Sequence, residues 1–310
     1  MNNNNNNNLI LPVKSYGDSK ALNPNFISGF SDAEGCFHIS VSSRASSKLK
    51  WRVESIFEIG LHQKDLPLLL AIQSYFKGIG TVVVDSKTKM AFFKVRSTKD
   101  LLDVIIPHFN TYPLLTKKRI DFILWCRVVN IMETGGHLTL EGLLEILSIK
   151  SLSNKGLTQK LTTAFSNIKP CVLPEVEHLA IYDPYWLVGF IAGDGSFSSS
   201  PYRVKSYRAR FHITQDNRDL DLLEEIKSYF GVGNIYKNGT VFNYEVGSIK
   251  ICLSHIIPFF EKYPIPSASN KFHNFKIWKE IVEILNSPEI SLEKKARIDY
   301  LLSGLNNWTD

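Results

Sequence analysis

One pattern of residues occurs twice in this chain, and this repetition restricts the possible folds more than any other feature. Residues 27–37 read ISGFSDAEGCF, and residues 187–197 read LVGFIAGDGSF. Two further pairs of stretches repeat in the same order, 57–80 with 211–233 and 104–122 with 255–275. A shared order of landmarks at a long offset indicates duplication of a whole domain rather than a solenoid. We therefore expect two copies of one domain, related by a pseudo-twofold axis.

Each copy is expected to follow the order αββαββα in an α+β fold. A helix carries the repeated motif, two strands follow, and an amphipathic helix, two more strands and a pair of helices complete the copy. The first strand alternates, because Phe37 and Ile39 fall on one face while His38 and Ser40 fall on the other. This pattern predicts an antiparallel sheet with one buried and one polar face.

The chain is expected to divide into four segments. Residues 1–20 begin with a run of asparagines and are predicted to be a disordered tail. The first domain spans 21–150, a linker rich in Ser, Asn, Gly and Pro spans 151–180, and the second domain spans 181–310. The sequence has no signal-peptide pattern and no apolar run as long as a transmembrane helix, so no membrane partner is expected.

The small residues of the motif predict a close contact between two helices. Gly29 and Ala33 lie four residues apart, as do Gly189 and Gly193, so each pair shares a helix face. Small residues at this spacing let two backbones approach closely. We predict that the two motif helices pack against each other through these four positions.

The motif also places two carboxylates at helix ends. Gly35 and Gly195 are expected to end the helices in a left-handed conformation, which leaves Glu34 and Asp194 side by side at two helix C-termini. That position disfavours negative charge. A bound hard divalent cation would stabilise the two carboxylates there, because carboxylate and main-chain oxygens are its preferred ligands. The alternative is a pair of solvated helix-end acids.

The overall charge favours a polyanionic partner. The formal net charge is +6, which is unusual for a soluble protein. The four cysteines form no C-x-x-C pair, and the histidines show no ligand spacing, so neither a zinc site nor a disulfide framework is indicated. The charge is compatible with a nucleic-acid partner and equally with a merely basic globular protein.

With its two motifs, the chain resembles the LAGLIDADG homing endonucleases in their monomeric, double-motif form. Residues 27–35 and 187–195 align with the nine-residue family motif. The short motifs that follow, H-x-K-D, I-P-x-F and Y-P-L, resemble the fungal mitochondrial group I intron-encoded branch. The resemblance implies curved sheets lying in the DNA major groove. It also implies Mg²⁺-dependent double-strand cleavage that leaves short 3′ overhangs, and a mitochondrial location.

The resemblance also implies roles for particular residues. Glu34 and Asp194 are expected to bind metal, with Ala33 and Gly193 contributing to the same site. The family often places a glutamine near the metals, and Gln215 matches that position, whereas the first copy has Leu61 there. Lys118 and Lys271 occupy equivalent positions and are candidates for a basic residue near the scissile phosphate, or for ordinary surface or phosphate-clamping lysines.

Unequal residues in the two copies suggest unequal cleavage of the two strands. Asp32 of the first copy aligns with Ala192 of the second, so Asp32 is interpreted as a structural or accessory residue.

Base contacts are expected from the polar strand faces and the turns beside them, over an asymmetric site of about 20 bp. The candidates are Ser40, Ser42, Arg44, Lys48, Lys50, Arg52, Ser198, Ser200, Arg203, Lys205, Tyr207 and Arg208. Each could instead belong to a solvated strand face.

The expected function is therefore a site-specific, Mg²⁺-dependent endonuclease acting on double-stranded DNA as a monomer. Ca²⁺ is expected to bind without supporting efficient cleavage. The alternatives are an intron RNA maturase on the same scaffold, which makes group I intron RNA a candidate second partner, and a DNA-binding regulator with an inactive site.

Overall fold

A computed structural model describes residues 8–10, 21–153, 156–202 and 206–305 of the chain. The first copy begins with strand β1 (Asn8–Ile10) and motif helix α1 (Pro24–Glu34). The elements that follow are β2 (Gly35–Ser43), β3 (Trp51–His62), α2 (Leu66–Tyr75), β4 (Thr81–Asp85), β5 (Met90–Val95), α3 (Thr98–Asp100), α4 (Ile106–Thr111), α5 (Lys118–Glu133), α6 (Leu140–Lys150) and α7 (Gln159–Ala164). A π-helical turn, Leu101–Ile105, joins α3 to α4.

The second copy repeats this order from its own motif helix. Its elements are α8 (Pro184–Asp194), β6 (Gly195–Tyr202), β7 (Ser206–Asp216), α9 (Leu220–Phe230), β8 (Asn234–Asn238), β9 (Val241–Val246), α10 (Ile249–Ile251), α11 (Ile257–Lys262), α12 (Asn270–Leu285) and α13 (Leu292–Gly304). A π-helical turn again precedes the helix that ends before the Tyr-Pro pair, at Cys252–Ile256. The predicted αββαββα order is confirmed, with α6, α7 and α13 as additions.

Within the described residues, the strands form two antiparallel sheets. The first has the order β1-β4-β5-β3-β2, and the second has the order β6-β7-β9-β8. The registers match, because Gly35 pairs with Ile59 in the first sheet and Gly195 pairs with Ile213 in the second. Each motif glycine therefore occupies the first rung of its sheet.

Strand β1 corrects part of the predicted disordered tail. Asn8–Ile10 pairs antiparallel with β4, with Asn8 opposite Asp85. Pairing at the edge of a sheet uses main-chain N–H and C=O groups, so it does not require an apolar sequence. The rest of the predicted tail, 1–7 and 11–20, lies outside the described residues.

The chain divides into two compact units whose bounds differ from those expected of the domains. The first contains Gly35–Leu179, including α7 and much of the segment predicted to be a linker. The second contains Leu22–Glu34 together with Ala180–Asp310. Motif helix α1 thus groups with α8 rather than with the strands that follow it.

Each unit has an aromatic core between its sheet and its helices. In the first unit Phe37 of β2 lies 5.3 Å, centroid to centroid, from Trp125 of α5. In the second unit Phe197 of β6 lies 5.2 Å from Trp278 of α12. Both tryptophans are fully buried. The cores cover one face of each sheet, which leaves the other face to polar side chains, as the alternation predicts.

No helix in the described part of the chain combines the length and the apolar character needed to cross a membrane.

Candidate active site

The two motif helices are in direct backbone contact at their glycines. A Cβ atom built on Gly29 would overlap the carbonyl oxygen of Trp186 and lie 2.7 Å from its carbonyl carbon. A Cβ atom on Gly189 would likewise overlap the carbonyl oxygen of Phe26 and lie 2.7 Å from the nitrogen of Phe30. No side chain larger than hydrogen fits at either position without separating the helices. The predicted close packing of α1 and α8 is therefore present in the structure.

Asp32 has a structural contact within this helix pair. Its carboxylate oxygen Oδ2 accepts a hydrogen bond of 2.9 Å from the indole Nε1 of Trp186, and both side chains are buried. The bond satisfies a buried N–H group that would otherwise be costly to desolvate. This contact agrees with a structural role for Asp32.

Each motif helix ends in an acid. Glu34 is the last residue of α1, and Asp194 is the last residue of α8. A Cβ atom built on Gly193 would lie 3.1 Å from Cγ and 3.5 Å from Oε1 of Glu34, so the Glu34 carboxylate lies beside the end of α8. Both acids are half-buried. The two carboxylates therefore share one region at the paired helix ends.

The conformation of the motif glycines differs from the prediction. Gly195 has φ −76° and ψ 158°, which is extended backbone, and Gly35 is not among the glycines with positive φ. The prediction of left-handed helix caps is wrong because each helix passes directly into a strand. At Gly195 a side chain is excluded by space, since a Cβ atom would lie 2.6 Å from the Ile191 carbonyl oxygen.

Two predicted polar residues lie at the end of α8. The amide Nε2 of Gln215 donates a hydrogen bond of 2.6 Å to Oδ2 of Asp194. The ammonium Nζ of Lys271, in the first turn of α12, donates to the carbonyl oxygen of Gly195 and lies 3.5 Å from that of Gly193. A cation at a helix C-terminus compensates the negative end of the helix dipole. Gln215 thus contacts Asp194 directly, and Lys271 contacts the carbonyls of the residues on either side of it; their roles in a reaction stay predictions.

Lys118 lies in the first unit, at the first position of α5. It lines a cavity of about 180 Å³ together with Cys36, Asp121 and Lys150. Burial raises the pKa of the Asp121 carboxyl above its ordinary value, although the nearby Lys118 ammonium opposes this shift. Lys118 is therefore half-buried beside a cavity with both polar and apolar walls rather than on an open surface.

Sequence reasoning missed Lys150. Its side chain is only 6% exposed, and its Nζ donates a hydrogen bond of 2.9 Å to the carbonyl oxygen of Ile39 on edge strand β2. The available signal was the position of a lysine at the end of the apolar helix α6, beside the buried Ile149.

The donor set at the helix ends fits a hard divalent cation. Glu34 and Asp194 supply carboxylate oxygens, and the last carbonyls of both helices lie in the same region; oxygen ligands of this kind suit Mg²⁺ and Ca²⁺. Among the described residues no group of three or more His, Cys, Asp or Glu side chains is arranged to hold a metal. Ligands beyond the two acids would therefore come from carbonyls, water or a bound phosphate.

The six predicted DNA-contact residues of the first copy all lie on the polar face or at its turn. Ser40 pairs with Glu54, and Ser42 pairs with Arg52, all on the face opposite the core. The turn between β2 and β3 carries the exposed Arg44, Lys48 and Lys50.

Only some of the predicted DNA-contact residues of the second copy lie on the polar face of the described structure. Ser198, Ser200 and Arg208 lie on the polar face, whereas Arg203 and Lys205 lie outside the described residues. Tyr207 alternates with Arg208 and therefore lies on the opposite face, where its hydroxyl donates a hydrogen bond of 2.8 Å to Asp299 of α13. This placement contradicts the prediction of a base contact for Tyr207, because the register turns its side chain toward a helix.

The polar faces also carry residues that were not predicted. These are Glu54, Glu58, Lys94, Arg210, His212 and Glu245. They alternate with core residues along β3, β5, β7 and β9, so the same period-two pattern could have found them.

The sequence profile described as LAGLIDADG endonuclease matches residues 27–129 and 187–282, one motif in each stretch. The chain belongs to the LAGLIDADG endonuclease family, as its motifs suggested.

Individual relatives are similar over most of the chain. Probable intron-encoded endonuclease 3 of Neurospora crassa is 34% identical over 300 residues, which cover 93% of this chain and 55% of the relative. The chain thus spans about half the length of that relative.

Solved structures match the fold. The I-SmaMI LAGLIDADG homing endonuclease bound to cleaved DNA has a TM-score of 0.88 at 35% identity, covering 94% of this chain and 99% of that one. I-SmaMI bound to uncleaved DNA target in the presence of calcium ions has a TM-score of 0.87 at 35% identity, covering 92% and 99%. The predicted fold class is confirmed.

Proposed function

We propose that this chain is a site-specific endonuclease that cleaves both strands of DNA with a divalent metal, Mg²⁺. The observation that carries the proposal is the pair of acids, Glu34 and Asp194, at the ends of two helices in backbone contact. Solved relatives of similar fold are homing endonucleases bound to DNA, which supports DNA as the substrate.

The residues around the acids have separate tasks in this proposal. Glu34 and Asp194 bind the metal, with main-chain carbonyls at Ala33 and Gly193 beside them. Gln215 fixes the orientation of the Asp194 carboxylate through its hydrogen bond. When bound, a divalent cation lowers the pKa of a coordinated water and stabilises negative charge on the phosphate oxygens.

The two lysines act as electrostatic groups rather than as bases. Lys271 is held at the end of α8 by main-chain carbonyls, so its charge is fixed in position before DNA binds. A preorganised cation of this kind stabilises the charge that develops on a phosphate. Lys118 has the equivalent task in the first unit.

DNA binding is assigned to the polar faces of the two sheets. The net charge of +6 supplies the attraction to phosphate. Polar side chains on strands read base edges in the major groove, over about 20 bp. We also propose short 3′ overhangs, a monomer in solution and a mitochondrial location, by analogy with the fungal intron-encoded relatives. The maturase alternative is not favoured, since both acids are present and the relatives are named as endonucleases.

The test is cleavage of a supercoiled plasmid carrying the uninterrupted exon junction of the host gene. Wild-type protein should linearise it in Mg²⁺, whereas Glu34→Gln and Asp194→Asn should cut neither strand while keeping most of their DNA affinity. Glu133→Gln is the matched control, because Glu133 is an exposed acid at the end of α5. Substantial linear product from either acid variant would reject the assignment.

A second arm of the test separates binding from chemistry. In Ca²⁺ the wild-type protein should bind the junction duplex specifically without efficient cutting, and added Mg²⁺ should start cleavage. Log affinity should fall linearly with log salt, with a slope of about −0.9 for each phosphate neutralised. Affinity that is independent of salt, or equal affinity for single-stranded RNA, would favour the maturase.

A further inference from the structure

Each sheet carries a partly buried ion pair on its polar face. In the first sheet Nζ of Lys94 lies 2.6 Å from Oε2 of Glu58, with side chains 21% and 28% exposed. In the second sheet Nη1 of Arg210 lies 3.1 Å from Oε2 of Glu245, with side chains 34% and 25% exposed. An acid on a face that binds a polyanion opposes binding, so both acids require an explanation.

The glutamates of the two pairs lie at the same level of their sheets, whereas Arg210 lies two residues further along β7, opposite Ser198. The rung after Gly35 joins Cys36, Glu58 and Lys94 across β2, β3 and β5. The rung after Gly195 joins Ser196, His212 and Glu245 across β6, β7 and β9. The glutamates therefore lie one residue level from the glycines that follow the metal-binding acids Glu34 and Asp194.

The pairs are not copies of one ancestral pair. In the aligned repeats Glu58 corresponds to His212, and Lys94 corresponds to Glu245. The acid therefore lies on non-equivalent strands of the two sheets, β3 in the first and β9 in the second. Each half nevertheless places one carboxylate at this level, where it contacts a basic side chain of the neighbouring strand, directly opposite in the first sheet and diagonally in the second. Different residues that produce the same arrangement point to a requirement of the site rather than to inheritance by duplication.

The geometry restrains the basic side chains. Nζ of Lys94 also lies 4.3 Å from the ring centroid of Phe92, so the ammonium is held between a carboxylate and an aromatic face. Arg210 is held by a carboxylate on the neighbouring strand. A long basic side chain without such a partner is free to reach a DNA phosphate, which adds affinity but carries no sequence information.

We propose that Glu58 and Glu245 are specificity-determining residues of the DNA-binding faces. Each carboxylate keeps its basic partner from contacting phosphate and aims it at base edges in the major groove, where lysine and arginine read guanine. The bases read in this way are those nearest the cleavage point, because the rungs adjoin the motif glycines. The inference rests on the proposed endonuclease function.

The experiment compares Glu58→Gln and Glu245→Gln with wild type. Dissociation constants are measured in Ca²⁺, over a series of salt concentrations, for the exon-junction duplex and for an unrelated duplex of equal length. Each variant should bind the unrelated duplex more tightly, with a salt slope steeper by about 0.9 for one added phosphate contact. The ratio of specific to non-specific affinity should fall by about tenfold, the loss expected for one base contact.

Cleavage selectivity gives an independent readout. Junction duplexes randomised one base pair at a time are cut in Mg²⁺, and the products are sequenced. The variants should accept more sequences at the base pairs nearest the cleavage point and retain wild-type preferences at the outer ones. The control is Glu280→Gln, which removes the acid that pairs with Arg297 between α12 and α13. It should leave the ratio of specific to non-specific affinity and the base preferences unchanged.

A double variant separates loss of restraint from loss of charge. Glu58→Gln combined with Lys94→Met should lose the gain in non-specific affinity, because the released ammonium is absent. Unchanged affinity ratios and base preferences in both folded single variants, with melting temperatures like wild type, would overturn the proposal. Failure of the wild-type protein to cut the junction would instead reject the endonuclease function itself.

Discussion

His108 is a buried imidazole that links stability to pH. Its side chain is 8% exposed, its Nδ1 lies 3.1 Å from the hydroxyl of Tyr75, and the ring of Phe109 packs 4.7 Å away. Burial lowers the pKa of His108 to about 3 and raises the pKa of Tyr75 to about 12. Both groups are therefore neutral in the folded protein at physiological pH. The equivalent residue of the second copy is Phe259, which shows that an apolar ring can occupy this position.

We expect His108→Phe to remove a large part of the acid sensitivity of folding. Between pH 6.5 and about 3, the unfolded chain protonates this histidine while the folded protein does not, so stability falls with falling pH. The contribution is about 1.4 kcal/mol for each pH unit in that window, and it vanishes above pH 6.5. The measurement is the melting temperature of both proteins between pH 7.5 and about 4.5, the lower half of which lies inside this window.

The control is His273→Phe, which removes an exposed histidine of α12. Parallel curves for wild type and His108→Phe would show that another group governs the acid transition. His212 remains in both proteins; its pKa is lowered by burial and by Arg210, so some pH dependence should persist.

At single positions, the aligned repeats pointed to polar residues beyond the motif. The structure places Gln215 and Lys271 at the end of α8, while their catalytic roles stay predictions. Lys150 was missed and Tyr207 was wrongly assigned to a base contact, because both environments depend on tertiary packing. Lys150 reaches a strand edge from a helix end, and strand register turns Tyr207 toward α13.

At the scale of elements, the crossing of α1 and α8 depends on hydrogen-sized side chains. We expect Gly29→Ala and Gly189→Ala each to destabilise the protein by about 1–3 kcal/mol or more, since even a methyl group overlaps a main-chain carbonyl of the facing helix. Chemical denaturation monitored by circular dichroism measures the change. Gly304→Ala is the matched control, because a Cβ there would meet Ile277 at 3.4 Å, an ordinary contact. An unchanged midpoint for Gly29→Ala would show that the helices separate without cost.

The order of elements was predictable because each has a local signature. Strands β2 and β7 alternate apolar and polar residues, and the Tyr-Pro pairs separate helices in both copies. Two features had no such signature. The pairing of β1 with β4 uses main-chain groups, and the extended conformation of Gly195 follows from direct passage of a helix into a strand, so neither can be read from side-chain pattern.

At the scale of the whole molecule, duplication has produced two halves that are alike in fold and unlike in polar detail. Equivalent positions hold Asp32 and Ala192, Leu61 and Gln215, and His108 and Phe259. The first and third differences are explained by packing, through Trp186 and Tyr75. The second difference bears on the reaction, because Gln215 binds a proposed metal ligand directly.

We expect this inequality to appear as unequal rates of strand cleavage. Gln215 holds Oδ2 of Asp194 at 2.6 Å, whereas leucine at position 61 has no hydrogen-bonding group for the corresponding task. Removing a residue that orients a metal ligand typically costs about 10–100-fold in activity or metal affinity. Gln215→Leu should therefore slow one strand by about that factor and leave the other nearly unchanged. Nicked plasmid should accumulate before the linear form with the wild-type protein, whereas Gln215→Leu, which has leucine at both equivalent positions, should bring the two strand rates closer together.

The measurement uses a duplex labelled differently on its two strands, with each cleavage rate followed separately in Mg²⁺. Gln159→Leu serves as the control, since Gln159 is an exposed glutamine at the start of α7. Raising the Mg²⁺ concentration should partly restore the slow strand if Gln215 acts by holding a metal ligand, because weaker metal binding is overcome by mass action. Equal slowing of both strands would mean that Gln215 serves both strands alike, so that the difference between Gln215 and Leu61 has no consequence for the order of cutting.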